Sequence, residues 1–375
     1  MKIDKQSSAF IIGMALFAMF FGSGNLIYPL YLGQVAQGSW PAVMLGFLIA
    51  AVIVPFLGVI AIVLYKGSYS SFFNTIGRRG GFLLSSLLLT VWIPFGSAPR
   101  CITVAYASIN SYFNNPPALW IFSLVYGLLV FYIIKRKLGI LDILGRFITP
   151  LLLVCLAFVC IKGFIEMPQI AAGSFEENFG VLQGLTEGYN TMDLIASFFF
   201  SASVIHILNK SGSKMSNSLS LVVRSSIVGM SLLAVVYVCL ISLAAHNSAA
   251  LAEVPKDQLL PYLAQTILGP TWSFAAILAI ILACFSTSIA LIVAYTDFLH
   301  DEVFKQNQHP NVSSAIALVV TFVMSLTGLE GITFVTAPVL KVCYPILIVL
   351  ILFNIGRIVF KREGRELQAE RGMNH

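Results

Sequence analysis

Ten stretches of this chain are apolar almost throughout, each near the roughly 20 residues a helix needs to cross about 30 Å of hydrocarbon. They lie near 10–33, 41–64, 82–109, 118–134, 143–164, 190–208, 219–245, 271–298, 312–328 and 332–355. A barrel strand would alternate polar and apolar residues over about ten positions, and these runs do not. The first run is too long for a cleaved signal peptide, and no small-residue cleavage pattern follows it. With 58% hydrophobic and only 10% charged residues, the chain departs from soluble proteins in the same direction. The fold class expected is an all-α integral membrane protein, one polytopic unit over residues 1–375 with both termini on one side.

Charge placement orients it. Eighteen of the 22 Lys and Arg fall in the amino end, the 65–81, 135–146, 209–224 and 300–311 links, and the carboxyl tail. The opposite links hold Lys162 and Lys256, while Arg100 and Lys341 lie inside spans. Both termini are therefore expected in the cytoplasm. The net charge of +6 follows from this orientation and calls for no nucleic-acid partner; the tail "KREGRELQAERGMNH" reads as solvated and frayed. All six cysteines fall within spans, without disulfide or zinc spacing, and read as packing residues.

The first span carries a weak point, "AMFFGSGNLIYPL", residues Ala18 to Leu30. Gly22 and Gly24 lower the cost of leaving helical angles, Asn25 competes for backbone hydrogen bonds, and Pro29 removes one. When spans one to five are set against six to ten, the sixth offers a second weak point in "ASFFFSASVIH", where serines crowd around Phe198, Phe199 and Phe200. Two interrupted helices at matching positions point to a transporter's midplane site. The competing reading makes Gly-x-Gly a packing contact and the serines interhelical glue. Helix eight adds "ACFSTSIAL", in which Ser286 and Thr287 can flank one point while Ser288 turns away. Such hydroxyls suit a weakly held monovalent cation, or else bond back to the preceding turn.

Together, "FFGSGNLIYPLYLG", "IPFGSAPRCITVAY", "GRFITPLLL", "GYNTMDLIA" and "APVLKVCYPILIVLIL" resemble the bacterial branched-chain amino acid carrier family, in order and through nearly the whole chain. That family is similar to the group with the LeuT fold. The resemblance implies ten helices in two inverted five-helix repeats, about 8–165 and 188–357, with helices one and six discontinuous and a tail over 358–375. It implies a substrate carboxylate on the freed amides of Gly22, Ser23, Gly24 and Asn25, which suits the partial positive charge of a helix start. It further implies a sodium ion held by the carbonyls of Ala18, Phe21 and Ala283 and the hydroxyls of Ser286 and Thr287. Helix six of the family usually has Gly at its break, where Ser201 stands here. The family also usually adds a pair of spans outside the two repeats, beyond the ten read here. The implied location is the bacterial inner membrane, among lipid.

Arg100 in mid-span should face the interior, either sensing the substrate carboxylate or holding carbonyls freed by Pro94 and Pro99. Lys341 reads as structural or gate-lining, with structural preferred, and His206 near its helix end as structural rather than a proton relay. Asp193 sits in the first turn of helix six, where the helix dipole favours a carboxylate. Helix five lacks the lysine that replaces the ion in proton-coupled relatives of the fold, which favours sodium. The segment His246 to Pro270 reads as a surface hairpin, either a lid over the outer vestibule or an interfacial packing segment. The function expected is import of leucine, isoleucine and valine with Na⁺ by alternating access, their side chains in a pocket lined partly by Phe198 to Phe200, and no cofactor. The alternatives are a proton-coupled carrier of another apolar amino acid and a non-transporting amino acid sensor. A channel would need a continuous polar stripe, and an enzyme a catalytic or metal-ligand constellation, neither of which is present in the sequence.

Overall fold

The computed structural model describes residues 5–113, 116–135, 140–165, 180–210, 214–305 and 309–373. Lys2, Arg136 and Lys137, three of the charges used to orient the chain, lie outside them. All regular structure among the described residues is helical, and each of the ten apolar stretches is found in helix. The main helices are α1 (Lys5–Phe20), α2 (Ser23–Ala36), α3 (40–64), α4 (Arg78–Tyr112), α5 (Leu119–Lys135), α6 (Leu141–Ile165), α7 (Val181–Asn190), α8 (Asp193–Lys210), α9 (Met215–His246), α10 (Leu259–Trp272), α11 (Phe274–Val303), α12 (Pro310–Ser325) and α13 (Gly328–Met373).

Among these residues, six helical runs are long and apolar enough to cross a membrane, with the α7–α8 pair, bent by 46°, as a seventh. The shorter apolar helices Ala9–Phe20, Leu119–Lys135 and Pro310–Ser325 account for the remaining stretches. The perimeter is apolar, with Leu83, Val154, Val319 and Val349 each at least 62% exposed. A water-facing surface would not carry such a girdle, whereas a lipid-facing one must.

Two elements are buried all round and so occupy the centre of the bundle. Residues 12–27, spanning the end of α1 and the start of α2, are buried without exception. The same holds for α8 from Asp193 to Ile205. Around them α9 packs on α1 and α2, α3 packs on α7 and α8, and α4 and α6 pack on α11. Small residues permit the closest crossings: a Cβ on Gly46 would lie 2.0 Å from the Val181 carbonyl oxygen, and one on Gly184 only 1.9 Å from that of Val43. Helix α4 contains a π-helical turn at Ile93–Ser97, where Pro94 removes an amide donor. That turn precedes Arg100.

The structure adds detail to three sequence expectations. The tail continues α13 as helix to Met373, as its Glu, Arg, Gln and Ala content allows. Lys341 is exposed on α13 and forms no part of the interior. The His246–Pro270 hairpin is tied to the core: Leu251, Leu259, Leu260 and Leu263 are buried, Gln34 of α2 donates to the Leu251 carbonyl, and Lys256 lies 3.5 Å from the ring centre of Tyr31.

Candidate functional site

The first interruption falls at Phe21 and Gly22, between α1 and α2. The Gly22 amide donates to the Phe20 carbonyl (2.8 Å) and to Asn25 Oδ1 (3.3 Å), so the Asn25 side chain closes the turn. Gly22 has φ −112° and ψ −158°, an extended conformation open to any residue. Its glycine is required by space instead: a Cβ there would lie 2.8 Å from Thr287 Cγ2. At Gly24 a Cβ would lie 2.6 Å from Arg100 Nη2. The amides that open α2 have no intrahelical acceptors and carry the positive end of its dipole.

The second interruption falls at Thr191 and Met192, about ten residues before Ser201. Met192 adopts φ +67°, a left-handed conformation costly for a residue other than Gly or Asn, and its amide donates to the Tyr189 carbonyl (3.0 Å). Asn190, Thr191 and Asp193 surround it, residue types that offer the backbone local alternatives to helix. The serines that had pointed to a break further on do the opposite. Ser197 donates to the Leu194 carbonyl (2.7 Å) and Ser201 to that of Ser197 (2.6 Å), inside an unbroken α8. Ser201 is thus buried and satisfied within its own helix, and does not mark the break.

Side chains lock the two interruptions together. Asn25 Nδ2 donates to Asp193 Oδ2 (2.8 Å) and to the Tyr237 hydroxyl, and Tyr237 in turn donates to Asp193 Oδ2 (2.9 Å). Arg100 reaches from α4 to both: Nε donates to Ser23 Oγ (3.1 Å), and Nη1 to the Asn190 carbonyl and the Tyr28 hydroxyl, each at 3.4 Å. Arg100 therefore does hold a freed carbonyl, but at the second interruption rather than at Pro94 or Pro99. Cys101 Sγ lies 3.6 Å from Ser23 Oγ and is hydrogen-bonded to Cys284.

Between the interruptions is a narrow cavity of about 20 Å³, room for little more than one water molecule. Its polar wall comprises Gly22, Ser23, Gly24, Asn25, Arg100, Thr191 and Asp193. Its apolar wall includes Met19, Phe20, Trp92, Met192, Phe200 and Leu291. Of the three phenylalanines read as pocket lining, Phe200 reaches it, its ring 5.5 Å from Phe20 and 5.6 Å from Trp92. Phe198 packs instead on Phe72 and Phe73, at 5.1 and 5.7 Å. Phe199 lies between Trp92 (5.9 Å) and Tyr69 (5.2 Å) and lines a separate cavity that also includes His206. Consecutive helical residues diverge by about 100°, so three in a row cannot share one wall.

Beside the first interruption, Ser286 Oγ and Thr287 Oγ1 both donate to the Ala18 carbonyl, at 3.0 and 3.1 Å, and Ser286 also reaches the Ala283 carbonyl (3.0 Å). Four of the five residues read as an ion set thus meet at one buried point. The fifth, Phe21, precedes Gly22, which abuts Thr287; its ring stacks on Phe17 at 5.0 Å. Ser288 points elsewhere, to the Tyr126 hydroxyl at 3.0 Å. Asp193, Met192, Trp92 and Tyr237 were not singled out as site residues from sequence. For the first two the Asn-Thr-Met-Asp cluster was the available signal; for Tyr237 there was none.

An all-helical, multi-pass arrangement with these features has the fold of a known transporter. It superimposes on Mhp1, a nucleobase-cation-symport-1 family transporter solved in a closed conformation with bromovinylhydantoin bound, with a TM-score of 0.58 and 16% identity over 92% of this chain and 77% of that one. The family described as branched-chain amino acid transport protein matches residues 5–370, and the chain belongs to it. Its relatives include a Staphylococcus aureus (strain USA300) protein, 29% identical over 92% of this chain and 81% of its own length. A Staphylococcus epidermidis protein is 30% identical over 94% and 83%. Both carry the name "Putative branched-chain amino acid carrier protein".

Proposed function

We propose that this protein is a secondary carrier that imports leucine, isoleucine and valine together with Na⁺ by alternating access. In this reading ten crossings form two inverted repeats, about 8–165 and 188–357, in a bacterial inner membrane with both termini in the cytoplasm. The observation that carries it is the meeting of two interrupted helices at one cavity with a polar and an apolar wall. The substrate carboxylate takes the amides that open α2 and the Arg100 guanidinium, a planar fork suited to carboxylates. The aliphatic side chain lies against Met19, Trp92, Phe200 and Leu291. Each buried methylene contributes about 0.8 kcal/mol, so leucine is favoured over alanine by well over an order of magnitude.

Na⁺ is co-transported cargo in this scheme. The oxygens of Ala18, Ala283, Ser286 and Thr287 are neutral and suit a monovalent ion, which would draw α1 and α11 together beside the substrate site. Two hydroxyls that now share one carbonyl acceptor would turn their lone pairs to the cation. The test is uptake of labelled leucine by purified protein in liposomes, with Na⁺ and pH gradients imposed separately. Uptake driven by the Na⁺ gradient alone is expected. Uptake driven by the pH gradient alone would replace sodium with protons, and no uptake under either gradient would overturn the carrier reading.

A further inference from the structure

The cavity wall holds one buried cation and one buried anion that do not pair. Arg100 is 4% exposed and Asp193 2%. Among the described residues neither forms an ion pair, with the other or with any other side chain. Arg100 donates only to two hydroxyls and a carbonyl. Asp193 accepts from Asn25 and Tyr237, with Thr191 as a further side-chain partner. A carboxylate has about four acceptor positions, so capacity remains. The Arg100 charge acts on Asp193 across the cavity without contact, although two opposite charges lining one small cavity would ordinarily close on each other. Here they are held apart on the first turn of α2: Arg100 lies against Gly24, and Asp193 is bonded to the next residue, Asn25.

We infer that Asp193 is the ammonium subsite of this cavity, so that Arg100 and Asp193 together take the head group of a zwitterionic α-amino acid. The inference rests on the carrier reading above and deepens it. A zwitterion carries its two charges on adjacent substituents of one carbon, which matches two protein charges placed against adjacent residues of one helical turn. Bound there, each charge of the ligand neutralises one of the protein. A substrate lacking either group leaves a buried charge uncompensated, so the site rejects amines and simple acids. Asn25 and Tyr237 serve as positioning residues: they hold one carboxylate oxygen of Asp193 and fix its direction.

The experiment compares binding of leucine, of isocaproate (leucine without its amino group) and of isopentylamine (leucine without its carboxyl) to purified parent, Asp193→Asn and Arg100→Gln, with thermal unfolding as the check on folding. The parent is expected to prefer leucine to isocaproate by about a hundredfold, the scale set by an unpaired buried charge. Asp193→Asn should lose about that factor for leucine and little for isocaproate, so that the preference collapses. Arg100→Gln should do the same for the preference over isopentylamine. Equal losses for leucine and isocaproate in folded Asp193→Asn would make Asp193 only a clamp and overturn the inference. So would a variant that changes the ion requirement while keeping the preference. If Asp193→Asn does not fold, Asp193→Glu, which retains the charge, must keep the preference for leucine, and a parent that binds isocaproate as tightly as leucine refutes the subsite without any variant. A parent that binds none of the branched-chain amino acids instead refutes the carrier reading itself.

Discussion

The two interruptions at the centre of this molecule look alike in outline and are built on different principles. At Gly22 the backbone is unstrained, and glycine is demanded by what presses in from outside, Thr287 on one side and, two residues on, Arg100. At Met192 the backbone itself is strained, with φ +67°, and a full side chain is accommodated, its sulfur receiving a hydrogen bond from Ser97 Oγ at 3.5 Å. The first is a close approach between helices; the second is a local conformation held by its neighbours. A close approach tolerates an added atom only if the neighbouring side chain moves away, whereas a strained residue kept in place by tertiary contacts tolerates exchange if those contacts survive.

The sharpest way to break this comparison is Gly24→Val. Its branched side chain would have to displace the Arg100 guanidinium, so leucine affinity should fall by more than about a hundredfold in equilibrium binding, with the thermal unfolding of the purified protein retained. Binding at the parental level would place the site elsewhere. Next comes the paired change Ser286→Ala with Thr287→Val, which removes both hydroxyls and nearly preserves volume. Coupling between ion and substrate is reciprocal and typically worth about 5- to 150-fold. The variant should lose most of the sodium enhancement of leucine affinity, measured with choline as the replacement ion, while its sodium-free affinity stays close to the parent's. An unchanged enhancement would remove these oxygens from the ion site.

The contrast also explains what could be read in advance. The ten apolar stretches, the first interruption and the meeting of Ser286 and Thr287 with Ala18 all rest on short-range signals: runs of apolar residues, a Gly-x-Gly-Asn cluster and adjacent hydroxyls. Even there the sequence shows only part of why Gly22 is glycine, because contact with Thr287, 265 positions later in the chain, is invisible in it. For the second interruption the sequence pattern points about ten residues too late. Serines in a helix look like weakness, yet Ser197 and Ser201 bond to their own preceding turns and leave α8 whole. A methionine gives no hint of a left-handed conformation imposed by Ser97, by Arg100 on the Asn190 carbonyl and by the α8 start at Asp193.

A substitution at the strained residue sharpens the difference from the first interruption. Met192→Gly relieves a left-handed conformation whose cost is about 1–3 kcal/mol, and removes a side chain from the cavity wall. The two effects oppose each other in stability, so the unfolding midpoint should move little. Leucine affinity should fall several-fold, about the loss of one to two buried methylene contacts, because the aliphatic wall is thinned. A loss as large as that of Gly24→Val would mean that the second interruption is as intolerant as the first, and the distinction between them would fail.

The smallest effect is expected at Ser201, and it decides where the α7–α8 pair gives way. If Ser201 marked the unwound segment, its hydroxyl would be free for substrate or ion, and removing it would cost binding on the scale of a lost hydrogen bond. Its hydroxyl instead donates to the Ser197 carbonyl at 2.6 Å, is fully buried within α8 and lines no part of the central cavity. That carbonyl keeps its helical amide partner when the hydroxyl is gone, so Ser201→Ala leaves no donor or acceptor unmet. Alanine also has the better helix propensity, by a few tenths of a kcal/mol. Leucine affinity, its sodium enhancement and the unfolding midpoint should therefore all stay within about twofold or one degree of the parent. Loss of leucine binding in this variant, with folding intact, would return the break to Ser201 and remove Met192 and Asp193 from the substrate site.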